Sequence, residues 1–199
     1  MVQQNADRLT RIAEDILDIA RVKHQISHAS SSTIALDGTV AQVWHDWRDQ
    51  DPARRCGQLH LGAQDIHVEF DPEHLRRVLF NLLDNALRYM GPEEDSLQLS
   101  TRVTASGRAS VQVWSDGAPL DQSIERHLFE PFFSSESRSS GLGLYICREL
   151  CERHGATIDY QRTGRTTQRG DMQGNAFTVS FRKTGRLKEP ASLFDTVVV

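Results

Sequence analysis

Apolar and polar positions recur along this chain in two rhythms, and the switches between them outline a fold. From Pro72 to Met90, Leu75, Val78, Leu79, Leu82, Leu83 and Ala86 return at three-and-four spacing, which predicts a helix with one buried face. Asp71 suits its N-cap and Pro72 its first position, where a missing N–H is no loss. At about 100° per residue, Asn81, Asn85 and Arg88 fall together on a flank of that stripe. By itself this flank reads equally well as a binding edge or as a face turned to water.

Other segments fall into place around it. Thr39 to Asp49 suggests a short helix, and Leu144 to Arg153 another, closed by His154-Gly155. Strand character marks Gln58 to Leu61, Ile66 to Phe70, Leu97 to Val103 and Ser110 to Trp114, the last two joined by a turn at Ala105-Ser106-Gly107. Ile158 to Gln161 and Phe177 to Phe181 complete the sheet, linked by a polar loop containing Gly164, Gly170 and Gly174. Helices and strands interleave, so the expected fold is a two-layer α/β sandwich, a mixed or antiparallel sheet packed on helices. Ahead of it, Asn5 to Lys23 carries Leu9, Ile12, Ile16 and Ile19 in a coiled-coil-like seam that needs another helix or a second copy to cover it. The expected organisation is therefore a helix over 1–26, a linker over 27–33 (SHASSST), a globular domain over 34–183 and a tail over 184–199.

Composition narrows the function. With 199 residues, 38% hydrophobic and 25% charged, the chain can form one sizeable core. A formal charge of −4 and a pI near 6.1 argue against a nucleic-acid binder, and the basic tract Arg162 to Arg169 reads as a solvated loop. No apolar run approaches a membrane span and the start is not a signal peptide, so a cytoplasmic location is expected. Three cysteines form no disulfide framework. Cys147, Cys151 and His154 share one helical face, but buried helical cysteines explain them better than a metal site with no fourth ligand.

Four motifs occur in order: the Asn-bearing helix, Asp116 in WSDGAPL, LFEPFF at Leu128 to Phe133, and SSGLGLYICREL at Ser139 to Leu150. This set resembles the N, G1, F and G2 boxes of the catalytic ATP-binding domain of sensor histidine kinases, within the superfamily that also holds gyrase and heat-shock chaperone ATPases. The wording is most similar to the nitrogen-regulation and type IV pilus sensor class. The resemblance covers about Asp71 to Arg182 and extends more weakly to the helix over 5–23, as the second helix of a dimerisation and phosphotransfer hairpin. It implies a Bergerat-type ATP-binding fold, with ATP and Mg²⁺ as cofactors. Asn85 would be the Mg²⁺ ligand, since a carboxamide oxygen is a hard neutral donor, with Asn81 supporting the same edge. Arg88 would reach a phosphate oxygen and Tyr89 would line the base or ribose. Asp116, otherwise readable as a turn residue, would accept from the adenine amino group. Ser139, Ser140, Gly141, Leu142, Gly143 and Leu144 would form the phosphate-side loop and helix start, with Ser134 to Ser140 as a lid and Phe132 and Phe133 reading equally well as its apolar anchors or as core residues.

The resemblance also marks departures. Ala118 and Leu120 stand at usual G1 glycine positions and Ser139 at a G2 one, which leaves open a weakly binding regulatory module acting by protein contacts. None of the eight histidines has a phosphoacceptor context, so the phosphoryl group is expected to go to a histidine on a dimerisation and phosphotransfer helix absent from this chain, and then to a response regulator. The fragment alone would bind nucleotide without completing autophosphorylation. Two copies would pair weakly through residues 5–23. Hydrolytic relatives carry a glutamate where this chain has Asn81, which disfavours an autonomous ATPase.

Overall fold

The computed structural model describes Leu17, Ala20 and residues 32–54, 56–133, 141–182 and 184–186, the last three for their backbone. Apart from Leu17 and Ala20, which are helical, the segment expected as a helix over 5–23 lies outside the described residues, as does the tail beyond 186.

Two sheets and a helical layer enclose a shared core. The first sheet is antiparallel, ordered β1 (Ser32–Ala35), β3 (Ile66–Phe70), β8 (Thr184–Arg186). The second runs β2 (Gln58–His60), β4 (Leu97–Val103), β5 (Ala109–Ser115), β7 (Gly170–Ser180), β6 (Thr157–Thr167), with only the β2–β4 pair parallel. Helices α1 (Leu36–Asp49), α2 (Pro72–Tyr89) and α4 (Gly143–Arg153) supply the covering layer, and α3 (Gln122–Glu125) is a single turn. The expected two-layer sandwich with a mixed sheet is therefore what forms.

Helix α2 follows its sequence closely. Asp71 accepts from the His74 N–H at 2.9 Å, Pro72 opens the helix, and Leu75, Val78, Leu79, Leu82, Leu83 and Ala86 are all buried. They meet Val111 and Val113 of β5, Ile146, Cys147, Leu150 and Cys151 of α4, and the Trp44–Trp47 pair of α1 in one cluster. Each buried large side chain contributes about 1.5–3 kcal/mol, which explains why this helix centres the domain.

Several boundaries move. Ser32 and Thr33, expected in the linker, belong to β1, which pairs with β3. Residues 184–186, expected in the tail, form β8 on the other side of β3. The largest correction concerns the polar loop, including the basic tract Arg162 to Arg169, between the last two strands. It is a continuous 11-residue by 11-residue hairpin closed by the two-residue turn Gln168-Arg169, in which Gly164 pairs with Gln173 and Gly174 with Thr163. The hairpin also doubles back. Arg165 pairs with Met172, six residues beyond the Thr178 that faces Gln112 in the sheet, yet its guanidinium donates to Gln112 Oε1. The outer side of β4 and β5 is thereby covered: Trp114 is wholly buried and donates from Nε1 to the Thr163 carbonyl at 2.9 Å. Gly174 is required at the bend, because a Cβ there would overlap the Trp114 indole and the Ser115 carbonyl.

Among the described residues, no helix is long and apolar enough to cross a membrane.

Candidate functional site

Asp116 sits just past β5 with its carboxylate almost enclosed. Oδ1 accepts from the Gly91 N–H at 2.8 Å and Oδ2 from Ser96 Oγ at 2.8 Å. Oδ2 is also paired with the guanidinium of Arg169 at the hairpin tip. Burial pushes the carboxyl up, but hydrogen bonds from Gly91, Arg169 and Ser96 outweigh it and hold the group below its ordinary value, so it is an anion at neutral pH. Gly91 closes the C-terminal end of α2, and a Cβ there would come within 3.0 Å of Asp116 Oδ2. The helix bearing Asn81 and Asn85 is thus tied directly to Asp116.

At the other end of the site, the Asn81 carboxamide lies against Gly143, the first residue of α4; a Cβ on Gly143 would stand 3.9 Å from Asn81 Cγ. Asn81 also hydrogen-bonds the Cys147 side chain one turn further along α4. Asn85 is half-buried on the same flank, while Arg88 and Tyr89 are exposed. Among the described residues no side chain caps α4, whose first-turn N–H groups point out of the helix end. Leu142 is fully buried and Leu144 packs on the core, so within this loop the apolar residues anchor and the glycines give access. Gly141 has φ +70, and a Cβ there would lie 2.6 Å from Phe132 C and Phe133 O. That close approach brings the F and G2 segments together. Phe132 is itself at φ 65 and largely exposed, whereas Phe133 packs on the His127 ring at 5.4 Å. The lid over 134–140, with Ser139 and Ser140, lies outside the described residues.

The altered G1 glycines have a structural answer. Neither Ala118 nor Leu120 has a positive φ, so glycine's conformational freedom is not needed at either. Ala118 is exposed and its carbonyl accepts from Asn175 Nδ2 at 2.9 Å; Leu120 packs against the core. Arg162 Nη1 donates to the Gly117 carbonyl at 3.1 Å, and Asn175 Oδ1 accepts from Arg162 and Tyr160. The turn after Asp116 is held from outside by hairpin side chains. Sequence reasoning missed Gly91, Ser96, Arg162, Arg169 and Asn175; the one available signal was the density of arginine beside Gly170.

The paired cysteines are structural. Burial pushes the Cys147 thiol up to about 12 and raises Cys151 further, and Cys147 donates weakly to the Val78 carbonyl at 3.7 Å. Their helical neighbour His154 pairs instead with His74, Nε2 to Nδ1 at 2.9 Å, under the ring of Phe70 at 4.2 Å.

Residues 70–185 match the family described as histidine kinase-, DNA gyrase B- and HSP90-like ATPase, and the chain belongs to it. Within that family it is an ATP-binding catalytic domain of the sensor histidine kinase type. It is 32% identical over 192 residues to the sensor protein kinase PilS of Pseudomonas aeruginosa, covering 94% of this chain and 34% of that protein. To the sensor histidine kinase ZraS of Klebsiella oxytoca it is 29% identical over 161 residues, covering 80% and 34%. The chain spans about a third of the length of these curated relatives. Its fold is shared with the catalytic domain of histidine kinase ThkA, at a TM-score of 0.61 and 23% identity over 77% of this chain and 95% of that one. It is shared also with full-length ShkA solved with AMPPNP, at 0.66 and 20% identity over 89% and 36%.

Proposed function

We propose that this domain places the γ-phosphoryl of ATP for transfer to a histidine on a separate helical element, from which a response regulator takes it. The observation that carries the reading is the tie between Asp116 and the end of α2 through the Gly91 N–H, because it fixes a base-recognising carboxylate relative to Asn81 and Asn85. Asp116, ionised and poor in water, is suited to accept from an exocyclic amino group. The uncapped start of α4, with Gly141 and Gly143 admitting close backbone approach, is suited to phosphate oxygens. Arg88 and Tyr89, exposed at the end of α2, would line the phosphate and ribose side, and the 139–144 segment the polyphosphate side.

The donor set fits Mg²⁺ in the form it takes with nucleotides. Among the described residues no group of three or more His, Cys, Asp or Glu side chains could hold a metal, so the ion would rely on phosphates and water with Asn85 as its protein ligand. When bound it neutralises phosphate charge. Asn81 leaves the helix without a carboxylate at the position used to orient a hydrolytic water in related ATPases, and its carboxamide is engaged with α4. Catalysis then rests on positioning more than on a side-chain base.

The test is phosphoryl transfer in trans. With γ-labelled ATP and a separately made helical hairpin bearing the acceptor histidine, taken from the full-length protein, label should reach that hairpin in an acid-labile, base-stable form. Release of free phosphate without labelled hairpin would overturn the reading.

A further inference from the structure

The hairpin tip holds the group that ATP is proposed to need. Asp116 has a side chain only 3% exposed, and the cover is Arg169, whose own side chain is 38% exposed. Arg169 donates both to Asp116 Oδ2 and, at 3.1 Å, to Ser96 Oγ. An adenine amino group cannot reach this carboxylate while the guanidinium lies on it. A second observation supplies the place for the arginine to go. Asp95, 2% exposed, accepts from the Gln168 N–H through Oδ2, but its Oδ1 has no hydrogen-bond partner among the described residues. A buried carboxylate oxygen left unpaired near a partly exposed guanidinium is a waiting acceptor. Glu93 is a further acidic neighbour of the arginine.

We propose that Arg169 is an internal competitor for the adenine subsite: nucleotide binding exchanges its guanidinium on Asp116 for the base amino group, and the arginine passes to Asp95. This rests on the nucleotide site proposed above. Its consequence is that the hairpin, which also braces the outer face of the sheet and the Gly117-Ala118 turn, senses whether the base site is filled. Anything that holds the tip down would weaken ATP binding without touching the phosphate side.

The test is calorimetric titration of the full chain with AMPPNP and Mg²⁺, combined with hydrogen exchange at the hairpin tip. If the competing state is populated nine-tenths of the time, removing it should tighten binding about tenfold in Arg169→Ala. Arg169→Lys, which keeps a cation able to reach Asp116, should stay near the parent. In the parent, the amides of Gln168 and Arg169 should exchange faster once nucleotide is bound. Weaker or unchanged binding by Arg169→Ala, or slower exchange at the tip on binding, overturns the proposal while leaving the nucleotide site standing. Absence of binding to both proteins overturns the two together.

Discussion

The His74–His154 pair couples folding to pH. The two rings join the start of α2 to the end of α4 at 2.9 Å, with Phe70 against one of them. Withdrawal from water is the main cause that lowers both, and the second ring lowers His154 further, to about 4, against opposition from Asp71. Glu73 also raises His74, while Arg77 and Arg153 add to the lowering. In the unfolded chain a histidine takes up its proton near 6.5. Between that value and 4 the unfolded chain binds more protons, so stability is complete above pH 6.5 and is lost as pH falls through the window. A drop from 6.5 to about 4 corresponds to about 3 kcal/mol at 1.36 kcal/mol per pH unit. Because the ring keeps partial contact with water, screening reduces this to about 1–2 kcal/mol. Urea denaturation between pH 7.5 and 5 should show somewhat more than half of that loss. The double variant His74→Leu/His154→Phe, which replaces a hydrogen-bonded pair by apolar groups of similar size, should flatten the slope over the same range. An unchanged slope in the double variant would refute the assignment. Asp116 lies outside the window: its lowered carboxyl contributes stability above its unfolded value near 3.8, which is lost only in stronger acid.

Two substitutions address the site walls. Asp116→Asn should weaken ATP binding by at least about tenfold and narrow its advantage over GTP in a competition titration, since one charged acceptor is worth about 1.5–3 kcal/mol. Gly174→Ala should lower the melting temperature by several degrees through a cost of about 1–3 kcal/mol, as the new methyl meets the Trp114 ring and the Ser115 carbonyl.

What could be seen in advance depended on how local each cause is. Helix α2 was legible because its cap, its proline and its stripe of buried leucines lie within one stretch of chain. The turn at Gly107, with φ +79, and the stop at Gly155, with φ +66, were legible for the same reason. The long hairpin was not, because Gly164, Gly174 and the arginines between them have loop composition, and only the need to cover Trp114 makes them strands. Strand β8 has three residues and owes its existence to β3, more than a hundred positions away. Asp116 could be picked out by its motif, but its cover by Arg169, 53 residues distant, follows from the hairpin's curl and from no local pattern. At Ala118 and Leu120 the sequence shows the missing glycines, but not that the backbone there stays out of the left-handed region, which depends on the whole turn after Asp116.

The central claim is that Asn85 and Asp116 belong to one ATP site whose metal is held from α2. Calorimetric titration of the chain with AMPPNP, with and without Mg²⁺, beside the same titration of Asn85→Ala, tests it most directly. Binding that tightens with Mg²⁺ in the parent and becomes indifferent to Mg²⁺ in Asn85→Ala is the predicted result; no binding at millimolar nucleotide, or an equal Mg²⁺ response in both proteins, would contradict it.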